Sequence, residues 1–110
     1  NFSLWRGTDG IYALSPAYDL LCTRLVIKDD LLALSVDSNK KNVTPRQWAS
    51  FAKACLLPER AAVRVLRATV AAETDARALI ARSYLPTEMK NDYSEQLKKR
   101  TKLLAAAVKA

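Results

Sequence analysis

Few side chains in this sequence have the type and placement to do chemistry. Asn1 heads the apolar run Asn1-Phe2-Ser3-Leu4-Trp5, and Asp19 closes the segment Ser15-Pro16-Ala17-Tyr18-Asp19. Taken alone, Asp19 reads as a cap or turn residue after Ser15-Pro16, and Asn1 as a chain terminus. The chain has no histidine, which excludes histidine bases, Ser-His-Asp triads and the usual zinc sites. Cys22 and Cys55 form no C-x-x-C arrangement and each lies among apolar neighbours. They read as reduced thiols serving as small core residues. A structural disulfide would imply export, nothing else suggests export, and the expectation is a cytoplasmic protein.

The charged residues offer a second chemistry. Eighteen Lys and Arg against eleven Asp and Glu give a net charge of +7, a balance that suits phosphate-bearing partners without identifying one. Arg60, Arg64 and Arg67 are spaced to share one side of a helix, and Lys98, Lys99, Arg100 and Lys102 form a denser cluster. Such clusters neutralise phosphates and steepen the salt dependence of binding. An amphipathic helix must also turn charge toward water, and Glu73 and Arg77 have the spacing of an ordinary i,i+4 pair. No aromatic residues interleave with these charges as a single-strand binder requires, so a solvated face is the first reading.

The elements that position these residues follow from pattern. At 110 residues the chain is one domain or part of one. Half its residues are hydrophobic and 26% charged, a globular balance. Two glycines and four prolines argue against a sandwich of many hairpins, and the longest apolar runs fall far short of the roughly 18 residues a membrane span needs. Phe2–Trp5 and Ile11–Leu14, flanking Arg6-Gly7-Thr8-Asp9-Gly10, predict a β-hairpin, which Pro16 ends. Tyr18–Leu25 predicts a short apolar helix or turn. Leu31–Val36 predicts a buried strand before the turn Asp37-Ser38-Asn39.

From Thr44 the pattern is helical. Thr44-Pro45-Arg46-Gln47 is a capping box with Pro at the first helical position. Trp48, Phe51, Ala52, Cys55 and Leu56 then fall on one face. Pro58 opens a second, longer helix to about Ser83, with Val63, Leu66 and Val70 on one side. Pro86-Thr87 opens a third, striped by Met89, Tyr93, Leu97, Leu104 and Val108. Trp48, Phe51, Cys55, Leu66 and Val70 are expected to be buried together. The expected fold is α+β, mostly α: a β-hairpin and a short strand over residues 1–43, then three helices over 44–110. An opening strand at Asn1 with no initiator Met or leader predicts a C-terminal piece of a longer protein.

The segments Asn1-Phe2-Ser3-Leu4, Leu14-Ser15-Pro16-Ala17-Tyr18-Asp19-Leu20-Leu21 and Leu32-Ala33-Leu34-Ser35-Val36 resemble the C-terminal lobe of HipA-family serine/threonine kinases. These are the toxin kinases of bacterial toxin–antitoxin operons, together with their shorter HipT-type relatives. In that family the catalytic loop ends in Asn-Phe-Ser, and the metal-binding Asp sits in a Pro-x-Tyr-Asp segment beyond a hairpin. The resemblance implies part of the C-terminal lobe of a protein-kinase-like fold, with ATP and Mg²⁺ as cofactors. It implies Asn1 and Asp19 as metal ligands and, with Tyr18, as nucleotide contacts. The catalytic Asp, five residues before the Asn, would lie upstream of residue 1, with the Gly-rich loop and ATP-anchoring Lys further upstream, so no catalytic residue falls within the chain. Lys53 lies where the resemblance implies a contact to operator DNA within a kinase–antitoxin complex. The implied partners are the upstream portion of the kinase, a helix-turn-helix antitoxin and a protein substrate.

Two functions are therefore in view: phosphoryl transfer from ATP–Mg²⁺ to a protein serine or threonine, and a non-enzymatic basic helical module binding nucleic acid or an acidic protein. A family scaffold without activity is a third. They separate at Asp19. A kinase loses transfer on Asp19→Asn while still folding, whereas a binding module responds to charge reversal at Lys98–Lys102.

Overall fold

A tight turn sets the register of the first two elements. In the computed structural model, which describes residues 1–108, β1 (Leu4–Arg6) and β2 (Tyr12–Leu14) pair antiparallel, with Leu4 opposite Leu14, Trp5 opposite Ala13 and Arg6 opposite Tyr12. Gly10 holds φ at +77°, where a side chain is strained, and its N–H donates to the Gly7 carbonyl at 3.0 Å. The Asp9 carboxylate accepts from the Ile11 N–H at 3.0 Å, and the Arg6 guanidinium donates to the Gly10 carbonyl at 3.1 Å. The predicted hairpin forms.

Residues 15–43 are irregular apart from one 3₁₀ turn at Thr23–Leu25, the realised part of the helix or turn expected over 18–25. Thr23 Oγ1 donates to the Asp30 carboxylate there. The strand expected over 31–36 does not form, and Leu31, Leu32 and Leu34 are exposed. A strand needs a neighbouring edge, and among the described residues none lies beside it. Its backbone bonds locally instead: Leu32 N–H to the Lys40 carbonyl at 3.2 Å, and Val36 with Asn39 in both directions around a turn. Asp37 and Ser38 hold that turn with φ of 48° and 61°.

Among the described residues four helical segments follow: α1 (Pro45–Ala54), α2 (Glu59–Ala71), α3 (Glu73–Arg82) and α4 (Thr87–Val108). The capping box at α1 forms as predicted. Thr44 N–H donates to Gln47 Oε1 at 2.9 Å, and Gln47 N–H donates to Thr44 Oγ1 at 3.4 Å. The helix expected from Pro58 to Ser83 is divided at Ala72 into α2 and α3. One turn earlier, the Thr69 hydroxyl donates to the Val65 carbonyl at 2.9 Å, a back-bond that bends helices. The first residue beyond the break, Glu73, is drawn to α4, where the Thr101 hydroxyl donates to its carboxylate at 2.6 Å.

α1 ends in a Schellman turn. Leu57 N–H donates to the Ala52 carbonyl at 2.9 Å and Leu56 N–H to the Lys53 carbonyl at 3.0 Å, so Leu56 takes the left-handed position that glycine usually fills. Its φ is 56°. A side chain in that conformation costs about 1–2 kcal/mol.

α4 is the spine: α2 and α3 pack along it, and α1 packs on both α2 and α4. The core is small. Val43, Ala52 and Ile80 are buried, and Thr101 is buried too, at 3% exposure. The expected five-residue cluster is only partly realised. Trp48, Leu66 and Val70 are half-buried, whereas Phe51 is 40% exposed and Cys55 is exposed. α1 turns Ala52, not Phe51, inward. Phe51 meets the Trp48 ring edge-on at 6.0 Å between centroids, and Cys55 is the C-cap residue at the helix end. Cys22 is half-buried, and neither thiol is in a disulfide. The Val108 side chain and residues 109–110, part of the expected third helix, lie outside the described residues.

Among the described residues no helix packs on the hairpin. Phe2, Leu4, Trp5, Ile11, Tyr12 and Leu14 are all exposed. The chain exposes 9112 Å², against about 6,100 Å² for a compact monomer of this mass. Its radius of gyration is 16.2 Å, against about 13 Å for a compact chain of this length.

Candidate metal and nucleotide site

The ladder continues past the ends of both strands. Ser15 N–H donates to the Ser3 carbonyl at 2.8 Å, and the two serine hydroxyls are 3.0 Å apart. Pro16 has no N–H to extend this pairing, and the chain next returns at Tyr18, whose N–H reaches the Asn1 carbonyl at 3.4 Å. Asn1, Tyr18 and Asp19 thereby gather at the open end of the hairpin, opposite the Gly7–Gly10 turn. The serine pair was not singled out from the sequence. Its signal was positional, since Ser3 and Ser15 extend the register of Leu4 and Leu14.

The Asn1 side-chain amide donates to the Asp19 backbone carbonyl at 2.7 Å. That bond uses one of the two amide N–H donors and leaves the acceptor oxygen Oδ1 uncommitted to it. Asp19 has φ of 52°, a left-handed conformation that Asp tolerates better than most residues. All three residues are exposed. One neutral amide oxygen and one carboxylate fit Mg²⁺, which takes one or two protein oxygens and completes its shell with water and phosphate. They do not fit a cation that demands an all-protein cage. Among the described residues no group of three or more His, Cys, Asp or Glu side chains could hold a metal ion.

Lys53 lies elsewhere. It is exposed in the last turn of α1 and lines a groove between α1 and α2 with Arg46 and Arg67. Arg60 and Arg64 are exposed on α2, and Lys98, Lys99 and Lys102 on α4, with Arg100 half-buried. Lys99 pairs with Glu95 at 2.8 Å. Its hydrogen bond, and then its charge, hold the Glu95 carboxyl below the usual carboxylate range. Arg77 and Glu73 form the expected i,i+4 pair at 3.9 Å. Both pairs are what a solvated helix face provides. No helix among the described residues is long and apolar enough to cross a membrane.

No curated protein and no solved structure matches the chain. A family model described as the HipA-like C-terminal domain matches residues 1–77. The matched span takes in the hairpin, Asn1, Tyr18, Asp19 and Lys53, and ends inside α3. Covering well over half of the sequence, that match shows that the chain belongs to the HipA-like C-terminal domain family, a family known for toxin–antitoxin serine/threonine kinases.

Proposed function

We propose that this chain is the metal-holding part of a HipA-type serine/threonine protein kinase, which transfers phosphate from ATP–Mg²⁺ to a protein hydroxyl. One observation carries the reading: the pairing of Asn1 with Asp19 at the open end of the hairpin. Asn1 Oδ1 and the Asp19 carboxylate would hold Mg²⁺, and Tyr18 would border the nucleotide. Bound there, the metal would supply charge neutralisation to the phosphates. The chain's own contribution is placement. The Asn1–Asp19 bond fixes the amide, and the serine pair fixes the strands that carry both donors.

The base that takes the substrate proton, five residues before Asn1, belongs to the preceding portion of the kinase with the Gly-rich loop and ATP-anchoring Lys. The exposed apolar side chains of the hairpin and the surface excess of the whole chain support cover by that portion. A two-stranded hairpin is at best marginally stable by itself. In the same reading a helix-turn-helix antitoxin binds the kinase, Lys53 faces operator DNA in that complex, and the setting is the cytoplasm.

Manganese tests the metal assignment by NMR. With the preceding portion and ATP present, substoichiometric Mn²⁺ should broaden the resonances of Asn1, Tyr18 and Asp19 first, and Asp19→Asn should remove that effect. Broadening confined to other carboxylates would refute it.

A further inference from the structure

Among the described residues six non-glycine residues have positive φ; four are Asp or Asn, types that enter the left-handed region at modest cost, and Ser38 shares a turn with one of them. The sixth is Leu56. It sits at the glycine position of the α1 Schellman turn and is 91% exposed. A branched apolar side chain held in a strained conformation and turned to water serves neither the helix end nor the core. Strain of this kind points to function.

Leu56 stands at the lip of the α1–α2 groove, an open cleft of about 1220 Å³. That exceeds the volume of a typical small-molecule site. Its floor includes Val63 and Leu66, and the cations Arg46, Lys53 and Arg67 line it against a single acid, Glu59. An apolar floor edged by three positive charges is complementary to a helix with leucines on one face and carboxylates along its margins. Nucleic acid fits less well. Phosphates would meet the cations, but nothing on a duplex backbone would cover Leu56 and the floor.

We infer that the α1–α2 groove docks an acidic amphipathic helix of a partner protein, with Leu56 as its apolar anchor. This inference does not rest on the Asn1–Asp19 metal site, with which the groove shares no residue, but it gives Lys53 a role other than the operator-DNA contact of the kinase–antitoxin reading.

The probe is a fluorescein-labelled synthetic peptide of about 18 residues, long enough for helix to form. It carries leucines at i, i+3, i+4 and i+7 flanked by glutamates, and a control carries lysines in their place. Anisotropy titrations with the 110-residue chain should show saturable binding of the acidic peptide and none of the control. Leu56→Gly should weaken binding roughly tenfold or more, the loss expected for one buried leucine, while raising the melting temperature. A loss of affinity in a more stable protein cannot come from misfolding. Lys53→Glu with Arg67→Glu should reverse the preference between the two peptides.

Equal binding of both peptides, or an affinity indifferent to Leu56→Gly, would overturn the inference. A DNA duplex that displaces the peptide and depends on Lys53 but not on Leu56 would make the groove a nucleic-acid surface. Peptide competition by self-association would assign it to a second copy of the chain. Loss of peptide binding on adding the preceding portion of the kinase would assign it to that portion.

Discussion

The side-chain amide of Asn1 donates to the backbone carbonyl of Asp19 at 2.7 Å, across 18 positions of sequence. The bond exists because the hairpin register returns the chain beside its own first residue. It ties the orientation of one proposed metal ligand to the backbone of the other. Asn1→Asp keeps an oxygen at this place but removes the donor and sets a carboxylate against a carbonyl. Transfer by the kinase assembled with its preceding portion should fall by about 10²-fold, the scale of a small misplacement of reacting groups. A steady-state assay checks this, and unchanged turnover would show that the bond does not position the metal site.

Leu56→Gly should stabilise the chain by about 1–2 kcal/mol, because glycine holds the left-handed end of α1 without strain. Urea unfolding should show a higher midpoint with an unchanged slope. A lower midpoint would mean that the exposed leucine contributes packing to the free chain.

Thr101→Val should destabilise by about 1.5–3 kcal/mol, the range for a hydrogen bond to a charged group. The hydroxyl is buried at the α3–α4 contact and meets the Glu73 carboxylate at 2.6 Å, so valine fills the space but leaves that carboxylate short of a donor. Thr101→Ser should retain most of the stability. Equal losses in both variants, read by urea titration, would point to packing instead.

Glu95 tests the surface electrostatics. Its carboxyl is held below the ordinary range by the Lys99 hydrogen bond and charge, so any stability it lends is present above the ordinary carboxylate pKa. That stability is lost as pH falls through the lowered value. Lys99→Met should return the Glu95 titration upward to the ordinary range, followed by NMR of the side-chain carboxyl carbon. An unmoved midpoint would mean that the ion pair does not form in solution.

Local signals carried over to the structure best where neighbouring residues close their own hydrogen bonds. Thr44 and Gln47 satisfy each other, and Gly7 to Gly10 turn the hairpin, so both were legible. The meeting of Asn1 with Asp19 follows from that turn and the register it sets. Leu31–Val36 was not legible, because an apolar run becomes a strand only beside another strand, and sequence does not display the missing edge. The division at Ala72 depends on Glu73 reaching Thr101 in α4, a tertiary contact invisible to helical periodicity. Phe51 and Cys55 shared the apolar face of α1 with Ala52, but only the part of that face turned toward α2 and α4 is covered. Leu56 was read as the end of that face. Its left-handed backbone went unseen because the usual signal there is glycine.

Phosphoryl transfer tests whether Asp19 holds the metal of a divided kinase site. Radiolabelled ATP, Mg²⁺ and a generic protein substrate are incubated with the purified 110-residue chain, alone and with the preceding portion added as a separate chain. The chain alone should show no transfer and the pair should show it. Asp19→Asn should abolish transfer by the pair, with the assembly still intact by size-exclusion chromatography. Transfer from the isolated chain, or full activity of the assembled Asp19→Asn variant, would contradict this reading of the site.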